Sequence, residues 1–354
     1  MHGVRKVALT GFFGRGNFGD DLMAVIFGRH LQSLGIPFRV HKFPVSDARR
    51  FGFETAESVD ELLEDCQALV WGGGGLLVSR RSRLYHGHYR RFIAEQTGLV
   101  ESAIRRGMRL AALSIGGDGV PELDLFPPYK ARFLDAAETV SVRNEHEVLA
   151  LHRLGIPSVF FPDIVWQARR CLPVTPTRPV SPRVGIDLYK SGLIGHGAFH
   201  VPPLLNLCVR IRRDLDFVFM DSTCVTHKPF RAVGIGWSGP NLRTYQFRDF
   251  EEDIRQLSSL DLLVSSRLHV PIVALQYGVP VISCFAEPKT SAFMASVGLA
   301  DFIVRHSRLP ALVKRLIDRN DFDGWLSTYP HPAIERLQAE SLGHLTALSR
   351  FVGA

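Results

Sequence analysis

The chain has 354 residues, 46% of them hydrophobic, enough for two ordinary domains with their own cores. Its net charge of +7 suits an anionic ligand or a transient visit to an anionic membrane surface, but the charges are spread out and no nucleic-acid-binding motif accompanies them, so nucleic acid is not an expected partner. No stretch approaches the roughly 20 apolar residues of a membrane span. Five dispersed cysteines without a CxxC pair argue against a disulfide framework or structural zinc and for a reducing, cytoplasmic compartment.

Val4 to Phe13 reads as a first strand rather than a signal peptide, because the apolar run is short and breaks into Gly14-Arg15-Gly16-Asn17-Phe18-Gly19-Asp20-Asp21. A helix follows, with Leu22, Val25, Ile26, Leu31 and Leu34 at helical spacing and Gly35 as its stop. Gly14, Gly16 and Gly19 spell the dinucleotide fingerprint. Two features disfavour a nicotinamide or flavin: the next strand, Pro37 to Phe43, ends in His41 and Lys42 where a ribose-binding acid is expected, and Asp20 and Asp21 would repel a pyrophosphate. Asn17 and Asp20, beside Gly16, suit either turn and N-cap chemistry or hydrogen bonds to a hydroxylated substrate. No cofactor is expected.

Strands and helices then alternate. Ala68 to Trp71 is a strand running into Gly72-Gly73-Gly74-Gly75, and four glycines there let backbone N–H groups approach a ligand or another chain segment. Arg80, Arg81 and Arg83 precede a basic helix around Tyr89 to Arg106, most of whose charges are solvated. Leu110 to Ile115 is a further strand. Thr139 to Val142 is another, ending at Arg143, with Asn144 and Glu147 at capping-box spacing before a helix to Gly155. Val159 to Phe161, followed by Pro162-Asp163, closes a six-stranded Rossmann-like domain over residues 1–168.

Pro173, Pro176, Pro179 and Pro182 recur every third residue and mark an extended linker over residues 169–182. A second Rossmann-like domain over 183–330 opens with strands at Arg183 to Tyr189 and Leu215 to Met220. His196 and His200 have HxxxH spacing, but Gly195 and Gly197 argue against a metal-binding helix. His86 and His88 are too sparse a pair, so no metal is expected. Asp249 to Leu257 is helical. Asp261 to Phe285 is then a strand–helix–strand unit in which Arg267 and His269 stand where the first strand hands over to the helix, the place where parallel sheets bind ligands. Lys289 follows the second strand. After a strand at Phe302 to Val304, two amphipathic helices finish the chain. The last of them, within 331–354, is long enough to cross back onto the first domain. The expected class is α/β, with two Rossmann-like domains facing across a cleft, the GT-B arrangement.

Several of these segments, in order along almost the whole chain, resemble the polysaccharide pyruvyl transferase family. They are GxGNxGD at Gly14 to Asp20, WGGGG at Trp71 to Gly75, SVR at Ser141 to Arg143, and FPD at Phe161 to Asp163. The last is SSRLH at Ser265 to His269, followed by GVPVI, Lys289 and VGL. The resemblance implies a GT-B-like fold, transfer of pyruvate from phosphoenolpyruvate onto two sugar hydroxyls as a cyclic ketal, and roles for Arg143, Arg267 and His269. The segment after the glycines, Arg80 to Arg83, is more basic than the family pattern.

The residue chemistry agrees with that reaction. Phosphoenolpyruvate carries two anionic groups that guanidinium forks hold well, so Arg143 and Arg267 are the expected anchors, with Ser266 alongside and Lys289 as a third charge. A group titrating near neutrality can deliver and remove protons, which makes His269 the expected general acid/base. Asn17, Asp20, Gly16, Gly73 and Gly74 are the expected acceptor side. The alternatives are a GT-B nucleotide-sugar glycosyltransferase or epimerase, disfavoured because Val270 to Tyr277 contains no acid for a ribose, and a non-catalytic carbohydrate-binding relative.

Overall fold

The computed structural model describes residues 5–77, 89–117, 128–177, 179–188, 207–222, 239–284, 288–304 and 308–354. Arg80, Arg81, Arg83, His86, His88, His196 and His200 lie outside the described residues. The chain divides into two compact units, Met1–Cys171 together with Glu335–Ala354, and Leu172–Ile334.

The first unit is built on a seven-stranded sheet: β1 (Val7–Thr10), β2 (Phe38–His41), β3 (Glu54–Ala56), β4 (Ala68–Leu77), β5 (Arg109–Gly117), β6 (Thr139–Val142) and β7 (Val159–Phe160). Every pairing is parallel and the spatial order is β3-β2-β1-β4-β5-β6-β7. All four residues of β1 are buried, as a central parallel strand covered on both faces requires. Trp71 of β4 meets Phe133 edge-on at 5.1 Å, within a core that also holds Leu69, Ile115, Leu99 and Leu151. The chain order reverses between β1 and β4, so this sheet has its crossover point there.

Two differences from the sequence reading have physical causes. The seventh strand is β3, three residues of sequence ETA at the sheet edge, too short and too polar to show an alternation. The glycine run does not follow a strand but lies inside one: β4 continues to Leu77, pairing Gly72 with Leu113 and Gly74 with Ile115. Gly73 has φ +83°, and a Cβ there would sit 2.2 Å from the Met23 sulfur, so the strand needs glycine where the helix Phe18–Ser33 packs against it. One at Gly74 would sit 2.8 Å from the Phe12 ring. Contacts of the fold itself therefore account for Gly73 and Gly74.

The second unit holds a six-stranded sheet: β8 (Arg183–Asp187), β9 (Asp216–Asp221), β10 (Leu242–Gln246), β11 (Leu262–Ser265), β12 (Val281–Cys284) and β13 (Ile303–Val304). It too is parallel throughout, in the order β10-β9-β8-β11-β12-β13, with its crossover between β8 and β11. The edge strand β10, LRTYQ, is half exposed and escaped the sequence reading for the same reason as β3. Among the described residues three helices, not two, finish the chain. Asp318 ends the helix Leu309–Ile317 in extended backbone and caps the next, Arg319–Ser327, by accepting the Asp321 N–H at 3.1 Å.

The last helix, Ile334–Val352, packs within the first unit. Its Ser349 meets His30 at 2.8 Å, and Arg109 lies 4.7 Å from the Phe351 ring centroid. Among the described residues no helix is long and apolar enough to cross a membrane.

Candidate active site

In the second unit the crossover strands carry a braced arginine. Asp187, the last residue of β8, is buried, and its carboxylate accepts the Ser222 hydroxyl at 2.9 Å and the Ser265 hydroxyl at 3.2 Å. Those serines in turn accept from Arg267. Ser222 Oγ receives the Arg267 Nε–H at 3.3 Å, and Ser265 Oγ receives its backbone N–H at 3.0 Å. Ser266 donates its own backbone N–H to the Asp187 carbonyl at 3.0 Å. Burial raises the Asp187 pKa, opposed by Arg267 and the two hydroxyls, with Asp221 adding to the rise.

His269 is the first residue of the helix that leaves β11, His269–Gln276, and is buried. Arg267, Ser266 and His269 are thus brought to one strand end, beside Asp187. Lys289 belongs to the helix Pro288–Ser296, which follows the neighbouring strand β12.

In the first unit the corresponding crossover is occupied by the loop after β1. Asn17 caps the helix Phe18–Ser33 by accepting the Gly19 N–H at 3.3 Å and donates to Asp20 Oδ2 at 2.6 Å. Asp21 is buried and accepts the Gly14 N–H at 2.6 Å, so it fixes the loop from inside. Burial raises its carboxyl to about 8, against the pull of the Gly14 N–H. A Cβ on Gly14 would lie 1.7 Å from the Lys42 carbonyl oxygen, so this loop runs directly over the end of β2.

There His41 meets the Thr10 hydroxyl at 3.2 Å and Glu95 at 3.1 Å, while Lys42 pairs with Glu95 at 2.6 Å. Burial holds His41 down at about 4 despite Glu95. Glu95 is the acid at this end of the sheet that the sequence did not single out. It lies 53 residues from Lys42, on the helix Tyr89–Arg105.

Arg143 follows β6 and is buried, its Nη1 donating to Asp163 Oδ2 at 3.0 Å. Asp163 also accepts the Val165 N–H at 3.0 Å. Beside this pair His344, from the last helix, donates Nε2–H to the Pro162 carbonyl at 3.1 Å, which leaves Nδ1 to accept the Ser141 hydroxyl at 2.8 Å. Ser141 Oγ accepts the Ser114 N–H at 3.2 Å, and Ser114 Oγ accepts the Ile164 N–H at 3.1 Å. The SVR and FPD segments are therefore two halves of one buried polar network. Glu147 joins at its edge by accepting the Gly117 N–H at 2.6 Å, and burial raises its carboxyl to about 7.

Among the described residues no three His, Cys, Asp or Glu side chains gather into a group that could hold a metal ion. Cys66, Cys171, Cys208 and Cys284 are free thiols.

Known structures share this architecture. A Staphylococcus aureus MnaA–UDP co-structure is similar with a TM-score of 0.67 at 12% identity, over 97% of each chain. UDP-GlcNAc 2-epimerase from Neisseria meningitidis, bound to UDP-GlcNAc, gives 0.61 at 12% identity, over 96% of this chain and 99% of that one. Spinosyn forosaminyltransferase SpnP gives 0.54 at 14% identity over the whole of both chains. The fold is thus the two-domain α/β fold of GT-B glycosyltransferases and nucleotide-sugar epimerases. No curated protein matches the chain. The family model for polysaccharide pyruvyl transferase matches residues 17–287, and the chain belongs to that family of transferases.

Proposed function

We propose that the protein transfers pyruvate from phosphoenolpyruvate onto two hydroxyls of a sugar or glycan acceptor, forming a cyclic ketal and releasing phosphate. The observation that carries this reading is the braced guanidinium of Arg267 next to His269, at the crossover end of the second sheet in a chain of the pyruvyl transferase family. Parallel sheets bind ligands at this position, and a guanidinium is suited to both the carboxylate and the phosphate of the donor.

The reaction balances as follows. Two protons leave the acceptor hydroxyls, one ends on the donor's methylene carbon, and one departs with phosphate, while two C–O bonds form and the C–O bond to phosphate breaks. His269 is the group that moves protons, as general acid toward the methylene carbon and as base toward a hydroxyl. Arg267, with Ser266 and with Lys289 as a further charge, takes the donor anions. Arg143, in the first unit, carries the family's assignment of a second guanidinium to donor binding and charge stabilisation, with Asp163 holding its orientation. Asn17 and Asp20, on the loop at the first crossover with Gly16, take the acceptor side.

The epimerase and glycosyltransferase likeness extends to fold alone. The helix His269–Gln276, HVPIVALQ, offers no carboxylate to a ribose, which weighs against a nucleotide-sugar donor. The test is incubation with phosphoenolpyruvate and a panel of hexosides, lipid-linked and nucleotide-linked sugars. Acceptor-dependent phosphate release, with a product heavier than the acceptor by one pyruvate less one water, is the expected result. Affinity for a nucleotide sugar without any phosphate release would overturn the proposal.

A further inference from the structure

We infer that Asp187 is the positioning residue for Arg267: through the hydroxyls of Ser222 and Ser265 it fixes both the guanidinium and the backbone of the donor-anchoring arginine. The inference rests on the assignment of Arg267 to the donor, and deepens it.

Hydroxyl bookkeeping carries the case. A serine hydroxyl has a single proton. Ser222 Oγ accepts from Arg267 Nε and Ser265 Oγ accepts from Arg267 N, so each is free to send its proton to Asp187, one to each carboxylate oxygen. Asp187 is therefore an acceptor at both oxygens, and that acceptance turns the serine lone pairs toward Arg267. The three partners come from three strands of one sheet: Asp187 ends β8, Ser222 follows β9, and Ser265 ends β11. All three side chains are buried, so solvent does not compete for these bonds. The arginine is thus referenced to the rigid centre of the sheet rather than to a loop, which is how a binding group is held to the accuracy that a reaction needs.

A purely electrostatic role for Asp187 predicts the opposite sign. A carboxylate beside Arg267 offsets part of the positive charge offered to an anionic donor, so removing it would tighten donor binding. Positioning predicts weaker binding. In Asp187→Asn the amide nitrogen can only donate, so one serine must reverse its hydroxyl and the two-sided brace is lost. The expected result is a rise of about tenfold in KM for phosphoenolpyruvate, the scale of one hydrogen bond to a charged group, with a smaller change in kcat and no change in KM for the acceptor. Ser222→Ala, a smaller perturbation, acts through the same brace. The double variant Asp187→Asn/Ser222→Ala should therefore lose much less than the product of the single losses.

A second readout needs no substrate. The 15N-labelled Arg267 Nε–H, assigned by its absence in Arg267→Lys, should exchange slowly with solvent in the wild type and quickly in both Asp187→Asn and Ser222→Ala. Loss of protection together with the KM rise supports the inference. Unchanged exchange in folded variants, a tighter KM, or multiplicative losses in the double variant would each overturn it. Loss of protection in a protein that never turns over phosphoenolpyruvate would leave the brace standing and refute the reaction instead.

Discussion

Arg143 and Asp163 are joined at 3.0 Å with both side chains largely buried, and this pair ties the end of β6 to the turn that follows β7. Breaking one side of such a pair leaves a charge without its countercharge in a low-dielectric interior, which costs more than the pair contributes. Asp163→Ala should lower stability by about 3–5 kcal/mol, and Asp163→Asn, which keeps an acceptor, should cost less. Urea denaturation of the two variants beside the wild type measures both.

His344 lies in the same interior, and burial holds it down at about 4 against the pull of Asp163 and the Pro162 carbonyl, with Arg143 adding to the fall. Its folded pKa is below the ordinary value of 6.5, so the stability tied to the neutral ring is fully present above about pH 6.5 and is lost as pH falls toward 4. The wild type should have the higher denaturation midpoint than His344→Gln at pH 7, and this difference between the two proteins should shrink from pH 7 to pH 5.

Asp21 works in the other direction. Its carboxyl is raised to about 8 in the folded protein, so the folded state keeps the proton while the unfolded chain loses it near 3.8. Stability tied to this group is present below about pH 4 and is lost as pH rises toward 8. Asp21→Asn keeps an oxygen for the Gly14 N–H and removes the titration. The melting temperature of the variant relative to wild type should climb steadily between pH 5 and pH 8.

Gly73 tests the reading of the glycine strand as packing. An alanine there would need φ near +83° and a Cβ 2.2 Å from the Met23 sulfur. Gly73→Ala should cost about 1–3 kcal/mol from the backbone alone, with the clash adding to it. Gly73→Ala/Met23→Ala should lose less than the sum of the two single losses, because Met23→Ala, costly by itself in the core, also removes the clash, as measured by thermal unfolding.

The alternation of strands and helices was legible because fully buried parallel strands such as β1 read as continuous apolar runs and the helices carry visible stops and caps. The edge strands β3 and β10 were not, since they bury little and so show no apolar run. The glycine segment was legible as a place of close approach, but its partners Met23 and Phe12 were not, since no local pattern records those contacts. Arg267 and His269 stood out by interrupting an apolar strand–helix unit. Asp187 did not: an acid after GI in GID reads as an ordinary strand end, and its partners Ser222 and Ser265 lie 35 and 78 residues away. The Ser141–His344 contact spans 203 residues and was equally out of reach.

The most direct test of the account is phosphate release from phosphoenolpyruvate, in the presence of an active acceptor, by wild type and His269→Ala. The expected result is a loss of roughly 10²–10⁴-fold in the variant, with its unfolding midpoint and donor affinity nearly intact, because a proton-transfer group has been removed and little else. Near-normal turnover in the variant would contradict the assignment of His269 as the acid/base.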